Sequence, residues 1–282
     1  MLLAGKRDKL ILITVLAISL ILLALWSLAS GQIDITIADT TKLLFYKLLG
    51  LPLGAQEESV QASVLYYIRA PRTLIGILVG MALGCAGAVM QGVFGNPLAE
   101  PGIIGVSSGA AMGAVIAIGT GLSAVSMWAM PAFAFCGALF AVFLTVFLAQ
   151  KNGRMQTMTL LLAGVAVSML FGAITSGFLT IMNEQKLQQY LFWIIGGLDY
   201  RRWEHVYLAF PSIMVGLIML FFLARHLNIL VLGDVEAKSV GMPVLFYRML
   251  LLTLSAIITS IAVCVSGNIA FVGLVVPHIM RI

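Results

Sequence analysis

Residues 73–150 read TLIGILVGMALGCAGAVMQGVFGNPLAEPGIIGVSSGAAMGAVIAIGTGLSAVSMWAMPAFAFCGALFAVFLTVFLAQ, and Glu100 is the single charged side chain in the whole stretch. A water-soluble domain, with about a quarter of its residues charged, could not leave so long a stretch without charged surface. Lipid removes that need, and roughly 20 apolar residues suffice for each helix that crosses the hydrocarbon. The stretch therefore holds several packed spans, broken on one side of the membrane by Gly95-Asn96-Pro97-Leu98-Ala99-Glu100-Pro101-Gly102. The two prolines there block continuous helix, and Pro101 suits the first turn of the next one. Glu100 stands beside that helix start, where unpaired amides and the helix dipole favour a negative charge.

Outward from this stretch the chain keeps the same character, with 61% hydrophobic and 10% charged residues and a mean hydropathy of +1.10. Uncharged apolar runs predict helices over 10–30, 73–94, 102–121, 126–149, 157–182, 206–224 and 244–266. An eighth is expected to begin near Ile269 and to be still running, or just turned at Pro277, where the sequence ends at Ile282. The reading is an all-α polytopic protein, one transmembrane domain over 1–282, with C-terminal helices expected beyond it. Lys6, Arg7 and Lys9 precede the first run, which is too long for the apolar core of a secretory signal and reads as a retained helix with its basic end in the cytoplasm. The loops at 150–157 and 225–243 then fall inside, with Lys151, Arg154, Arg225 and Lys238, joined by Arg248 at the start of the following helix. The outside segments also carry Lys42, Lys47, Arg69, Arg72, Lys186, Arg201 and Arg202, so orientation rests on the N-terminus.

Small residues recur every fourth position: Gly76, Gly80, Gly84, Ala88, Gly92; Gly105, Gly109, Gly113, Ala117; and Gly164, Ser168, Gly172, Ser176, Thr180. Such stripes let helix backbones approach closely where lipid supplies no drive for association. On the third, Ser168, Thr175, Ser176 and Thr180 are the candidates to line a wet pathway, against the plainer reading that each hydroxyl bonds its own helix backbone.

Several function classes lose support. Beyond Arg248 in the opening turns of the last full run, the predicted spans carry no Asp, Glu, Lys or Arg, whereas carriers driven by proton or sodium gradients commonly place such groups near the midplane. No GxxxxGK[ST] phosphate loop is present, so ATP would have to act through another polypeptide. Cys85, Cys136 and Cys264 lie singly in apolar runs, and His205, His226 and His278 form no pair with ligand spacing, so neither a metal centre nor a resident cofactor is expected. Paired carboxylates or a nucleophile with its base cannot be placed together, which disfavours an enzyme. The net charge of +5 reports loop topology rather than nucleic-acid binding.

A family resemblance runs through most of the chain from about residue 64. Arg69-Ala70-Pro71-Arg72, the glycine-striped helix ending in Gln91, Asn96 to Gly102 and Gly105-Val106-Ser107-Ser108-Gly109-Ala110 resemble the permeases that import ferric siderophores, haem and vitamin B12. The likeness continues in Leu161-Leu162-Ala163-Gly164-Val165, Trp193-Ile194-Ile195-Gly196-Gly197, Leu232-Gly233-Asp234 to Gly241, and Gly267 through Phe271-Val272-Gly273-Leu274-Val275-Val276-Pro277-His278 to Arg281.

The resemblance implies a type II importer permease of ten helices in a bacterial or archaeal cytoplasmic membrane. About seven and a half of the ten are present here. Two copies would enclose the pathway, two separate ATPases would bind on the cytoplasmic face, and an extracytoplasmic binding protein would deliver the cargo. It further implies that Arg69 and Arg72 meet glutamates of that binding protein, against the plainer reading of two interfacial anchors. By the same resemblance Asp234, Val235, Glu236, Ala237, Lys238, Ser239, Val240 and Gly241 form the coupling helix seated in the ATPase, and Asn96, Leu98, Gln156 and Thr157 narrow the cytoplasmic exit. Chemistry alone suits the short helix to a rigid element: Asp234 can accept from free amides, and Gly241 with Pro243 ends it. The cargo would be an iron chelate, a siderophore or haem, or else cobalamin. The rival reading is an ion-coupled carrier or passive channel.

Overall fold

The computed structural model describes residues 5–49, 60–151 and 154–281. Helices dominate it: α1 Lys6–Ala29, α2 Ile37–Leu48, α3 Val60–Phe94 with a π turn at Leu65–Arg69, α4 Val106–Gly119, α5 Ala129–Ala149, α6 Thr157–Ile181 and α7 Glu184–Ile195. They continue with α8 Trp203–Leu232, α9 Asp234–Ser239, α10 Val244–Ser266 and α11 Val272–Ile279. A 3-10 turn covers Pro101–Ile104. Between α5 and α6 a minimal antiparallel hairpin pairs β1 Gln150–Lys151 with β2 Arg154–Met155. Among the described residues six helices, α1, α3, α5, α6, α8 and α10, are long and apolar enough to cross a membrane.

The chain divides into two compact units, 1–77 with 198–207 and 281–282, and 78–197 with 208–280. The first unit is built on Leu28, Ile35, Leu43, Leu65 and Ala70, with Trp203 packed against them. Trp203 donates its indole N–H to the Tyr66 carbonyl at 3.0 Å, giving a partner to a backbone oxygen inside the π turn. In the second unit α10 is the central helix: 72% of its most apolar window is buried, against 22% for α6, which leaves a broad face of α6 open.

Glycines decide how closely the second unit packs. A Cβ on Gly109 would run into the Gly137 carbonyl, one on Gly113 into that of Phe133, and one on Gly164 into that of Ile103. The second small-residue stripe is therefore a true seam between α4 and α5. On α3 the closest approach falls at Gly87, off the predicted stripe, against Gly273 of α11, while Gly80 and Gly172 have nothing within 4 Å of an added Cβ.

The predicted spans survive with shifted ends. The stretch 244–266 matches α10 in full. The second span begins at Val60 rather than residue 73, because Arg69 is not a solvated boundary charge but a buried one with acceptors. The third is split by Gly105 at φ +90 into the 3-10 turn and α4. The sixth extends to Leu232 through Arg225 and His226. The eighth starts at Val272, after Phe271 at φ 67, and carries Pro277 inside it rather than ending there. Uncharged-run reading passed over α2 and α7, which both carry charges, although each opens on a capping residue visible in the sequence: Thr36 accepts from the Asp39 amide at 3.1 Å, and Asn183 from the Lys186 amide at 3.0 Å.

Candidate functional site

Three groups of residues were expected to carry function. The first is the arginine pair. Arg69, 6% exposed, donates from Nη1 to the Leu28 carbonyl at 2.9 Å and to that of Ala29 at 2.5 Å, and from Nη2 to the Ile33 carbonyl. The Leu28 and Ala29 carbonyls are acceptors that the end of α1 leaves without helical partners, the Ile33 carbonyl belongs to the segment that follows, and a fixed guanidinium fork serves all three at once. Arg69 is thus enclosed as the cap of α1, which corrects its assignment as an exposed docking residue. Residues three apart on an α-helix differ by about 60° in direction, enough here to send Arg69 into the chain and Arg72 out of it. Arg72 is 55% exposed and pairs with Asp199 at 3.3 Å. Burial pushes the pKa of Arg201 down, an effect that the neighbouring Asp199 carboxylate partly offsets.

The second group is the short helix. α9 buries Ala237 completely and leaves Val235 and Val240 at 77% and 67% exposed. Its ends turn at Gly233 and Gly241, both at positive φ, and the Met242 amide bonds back to the Ala237 carbonyl at 3.0 Å. Asp234 does not cap α9 through its side chain, as expected from sequence; the capping position is Gly233, and the Asp234 carboxylate instead takes Arg248 Nη2 at 2.6 Å. Arg248 is 7% exposed, and its Nη1 reaches the Met155 carbonyl at 2.9 Å. The sequence placed Arg248 among the inner charges but gave no sign of this double attachment.

The third group comprises the gate and pathway candidates. Asn96 and Leu98 sit together on the exposed turn after α3, the Leu98 amide donating to Asn96 Oδ1 at 2.9 Å. Gln156 is exposed and Thr157 half-buried at the start of α6. Along α6, Ser176 and Thr180 lie on the open face, Thr180 with its hydroxyl returned to the Gly177 carbonyl at 2.8 Å. Ser168 is half-buried and accepts from Ser108 at 3.3 Å. Thr175 is buried, so this residue, expected to line the pathway, points into the packed unit. Among the described residues no group of three or more His, Cys, Asp or Glu could hold a metal ion.

Six helices long and apolar enough to cross a membrane among the described residues, with the short α9 leaving Val235 and Val240 exposed, define a polytopic α-helical membrane protein. The chain belongs to the FecCD transport family, which matches residues 19–282. It is 43% identical over 248 residues to the cobalamin import system permease protein BtuC of Halobacterium salinarum, covering 88% of this chain and 64% of that protein. The ABC transporter permease protein YvrB of Bacillus subtilis is 33% identical over 270 residues, 95% of this chain and 75% of its own length. The vitamin B12 import system permease protein BtuC of Escherichia coli O127:H6 is 37% identical over 217 residues, 77% of this chain and 66% of its own. The chain thus spans about two thirds of the length of these cobalamin permeases. A solved inward-facing structure described as a metal-chelate type ABC transporter shares 30% identity and a TM-score of 0.83, over 96% of this chain and 80% of the other.

Proposed function

We propose that this chain is the membrane subunit of an ATP-driven importer that passes a metal chelate, a ferric siderophore or haem, or else cobalamin, inward across the cytoplasmic membrane. The observation that carries the reading is α9: a six-residue helix held to the core by a buried arginine, with Val235 and Val240 left bare. A bare apolar pair on a rigid projection suits a groove on a partner protein, and the ATPase is that partner. Energy enters there because, among the described residues, the spanning helices hold acidic residues only in first turns, Asp8 in α1 and Glu204 in α8, and place no mid-membrane carboxylate that could harness an ion gradient. The chain needs no cofactor of its own and hydrolyses nothing itself.

Two copies enclose the pathway, to which the open face of α6 contributes Ser176 and Thr180. Asn96, Leu98, Gln156 and Thr157 border the cytoplasmic exit. On the other side of the membrane, Arg72 offers its exposed guanidinium to a carboxylate on an extracytoplasmic binding protein, while Arg69 supports that surface by fixing the end of α1. Charged rims of this kind orient and speed docking more than they add affinity.

Co-purification tests the reading. Full-length protein extracted in mild detergent should bring down an ATP-hydrolysing polypeptide, and vesicles holding both should accumulate cargo only with ATP. Accumulation of cobalamin or a ferric chelate against its gradient by the permease alone, without nucleotide, would refute it. Thermal stabilisation of the cognate binding protein by haem, ferric siderophores or cobalamin in turn identifies the cargo.

A further inference from the structure

Arg248 joins two elements that the chain itself leaves unconnected. Its guanidinium grips Asp234, the first residue of α9, at 2.6 Å. From the same buried position it holds the carbonyl of Met155, 93 residues away in sequence, at 2.9 Å. Met155 is itself 4% exposed and directly precedes Gln156 and Thr157, where α6 begins. α9 is flanked by Gly233 and Gly241, both at positive φ, and the Asp234 carboxylate ties its first turn to Arg248. A force applied to Val235 or Val240 therefore reaches Arg248, and through Arg248 the entrance of α6.

We infer that Arg248 is the positioning residue that transmits movement of α9 to the Met155–Thr157 entrance of α6, so that ATPase closure and opening of the cytoplasmic exit are one motion. The inference rests on α9 being the ATPase contact. A buried guanidinium with two directed attachments suits this task, because loss of the Asp234 carboxylate leaves the buried Arg248 without its counter-charge, and coupling between distant sites needs a shared element that both bias.

The test uses the full-length permease with its ATPase pair in vesicles, reading cargo imported per ATP hydrolysed. Arg248→Lys and Asp234→Asn should keep the ATPase bound and hydrolysing while cargo per ATP falls on the order of tenfold, the scale at which such networks tune coupling. If Arg248 only fastens the fold, import and hydrolysis will fall together and their ratio will stay at the wild-type value, which overturns the inference. Should these variants fail to fold, hydrogen exchange on the wild-type protein decides: ATPase binding must alter exchange at 155–160 along with 234–239, and a change confined to 234–239 overturns the proposal. Val235→Asp separates the two levels of argument. It should release the ATPase, and if the ATPase stays bound, the reading of α9 as the contact fails whatever Arg248 does.

Discussion

Gly109 of α4 and Gly137 of α5 face each other so closely that a Cβ on either would collide with the carbonyl oxygen of the other. The relationship is reciprocal, so neither helix can yield by moving a flexible side chain; the backbones themselves must part. Gly109→Ala should therefore lower the unfolding free energy in detergent by about 1–3 kcal/mol or more, the cost of overpacking a tight interior. Gly172→Ala serves as the control. With nothing within 4 Å of the added methyl, it should leave the stability of the single chain unchanged or raise it by about 0.5–1 kcal/mol through helix propensity. Equal loss in both variants would contradict the seam.

Arg69→Gln should loosen the end of α1. Three carbonyls lose a charged donor, and each such bond contributes about 1.5–3 kcal/mol when made to a charged group. The readout is faster hydrogen exchange or proteolysis near residues 28–33. Arg69→Lys should fall well short of rescue, since a single ammonium lacks the planar fork.

Arg72→Glu should slow association with the binding protein about tenfold at low ionic strength, with the difference shrinking as salt rises. Stopped-flow mixing of the purified proteins reads this directly. Thermal stability should be nearly unchanged, because the Arg72–Asp199 pair is exposed on both sides and such pairs contribute at most about 1 kcal/mol. An association rate indifferent to Arg72→Glu would remove its docking role.

Cysteines placed at Ser176 and Thr180 in a background without native cysteine should react readily with a charged, water-soluble thiol reagent in the assembled transporter. One placed at Thr175, which is buried, should react at least about tenfold more slowly, since thiol chemistry needs access to solvent. Equal rates at all three would place the wet face of α6 elsewhere.

Much of this architecture was legible in the residues. The run over 73–150 with Glu100 as its single charge, the proline-bounded turn at 95–102 and the lengths of the apolar segments place most of the spans, and α10 matches its predicted range end to end. α2 and α7 escaped because a search for uncharged runs discards helices that carry lysine, aspartate or glutamate, although Thr36 and Asn183 announce their starts. The exposed α9 was legible as a short helix ended by Gly241, but its first residue was not legible as an ion-pair partner.

The amino-acid sequence by itself determined that this protein folds in lipid, where its helices break, and which stretches are poor in charge, since these follow from local composition and spacing. Only the tertiary structure decided that Arg69 closes α1 instead of facing outward, that Asp234 answers to Arg248, and which glycines are contact points. The reason is physical: the partners of Arg69 and Arg248 lie 14 to 93 positions away along the chain. A side chain's acceptor is set by which backbones pack beside it, and local pattern carries no record of that.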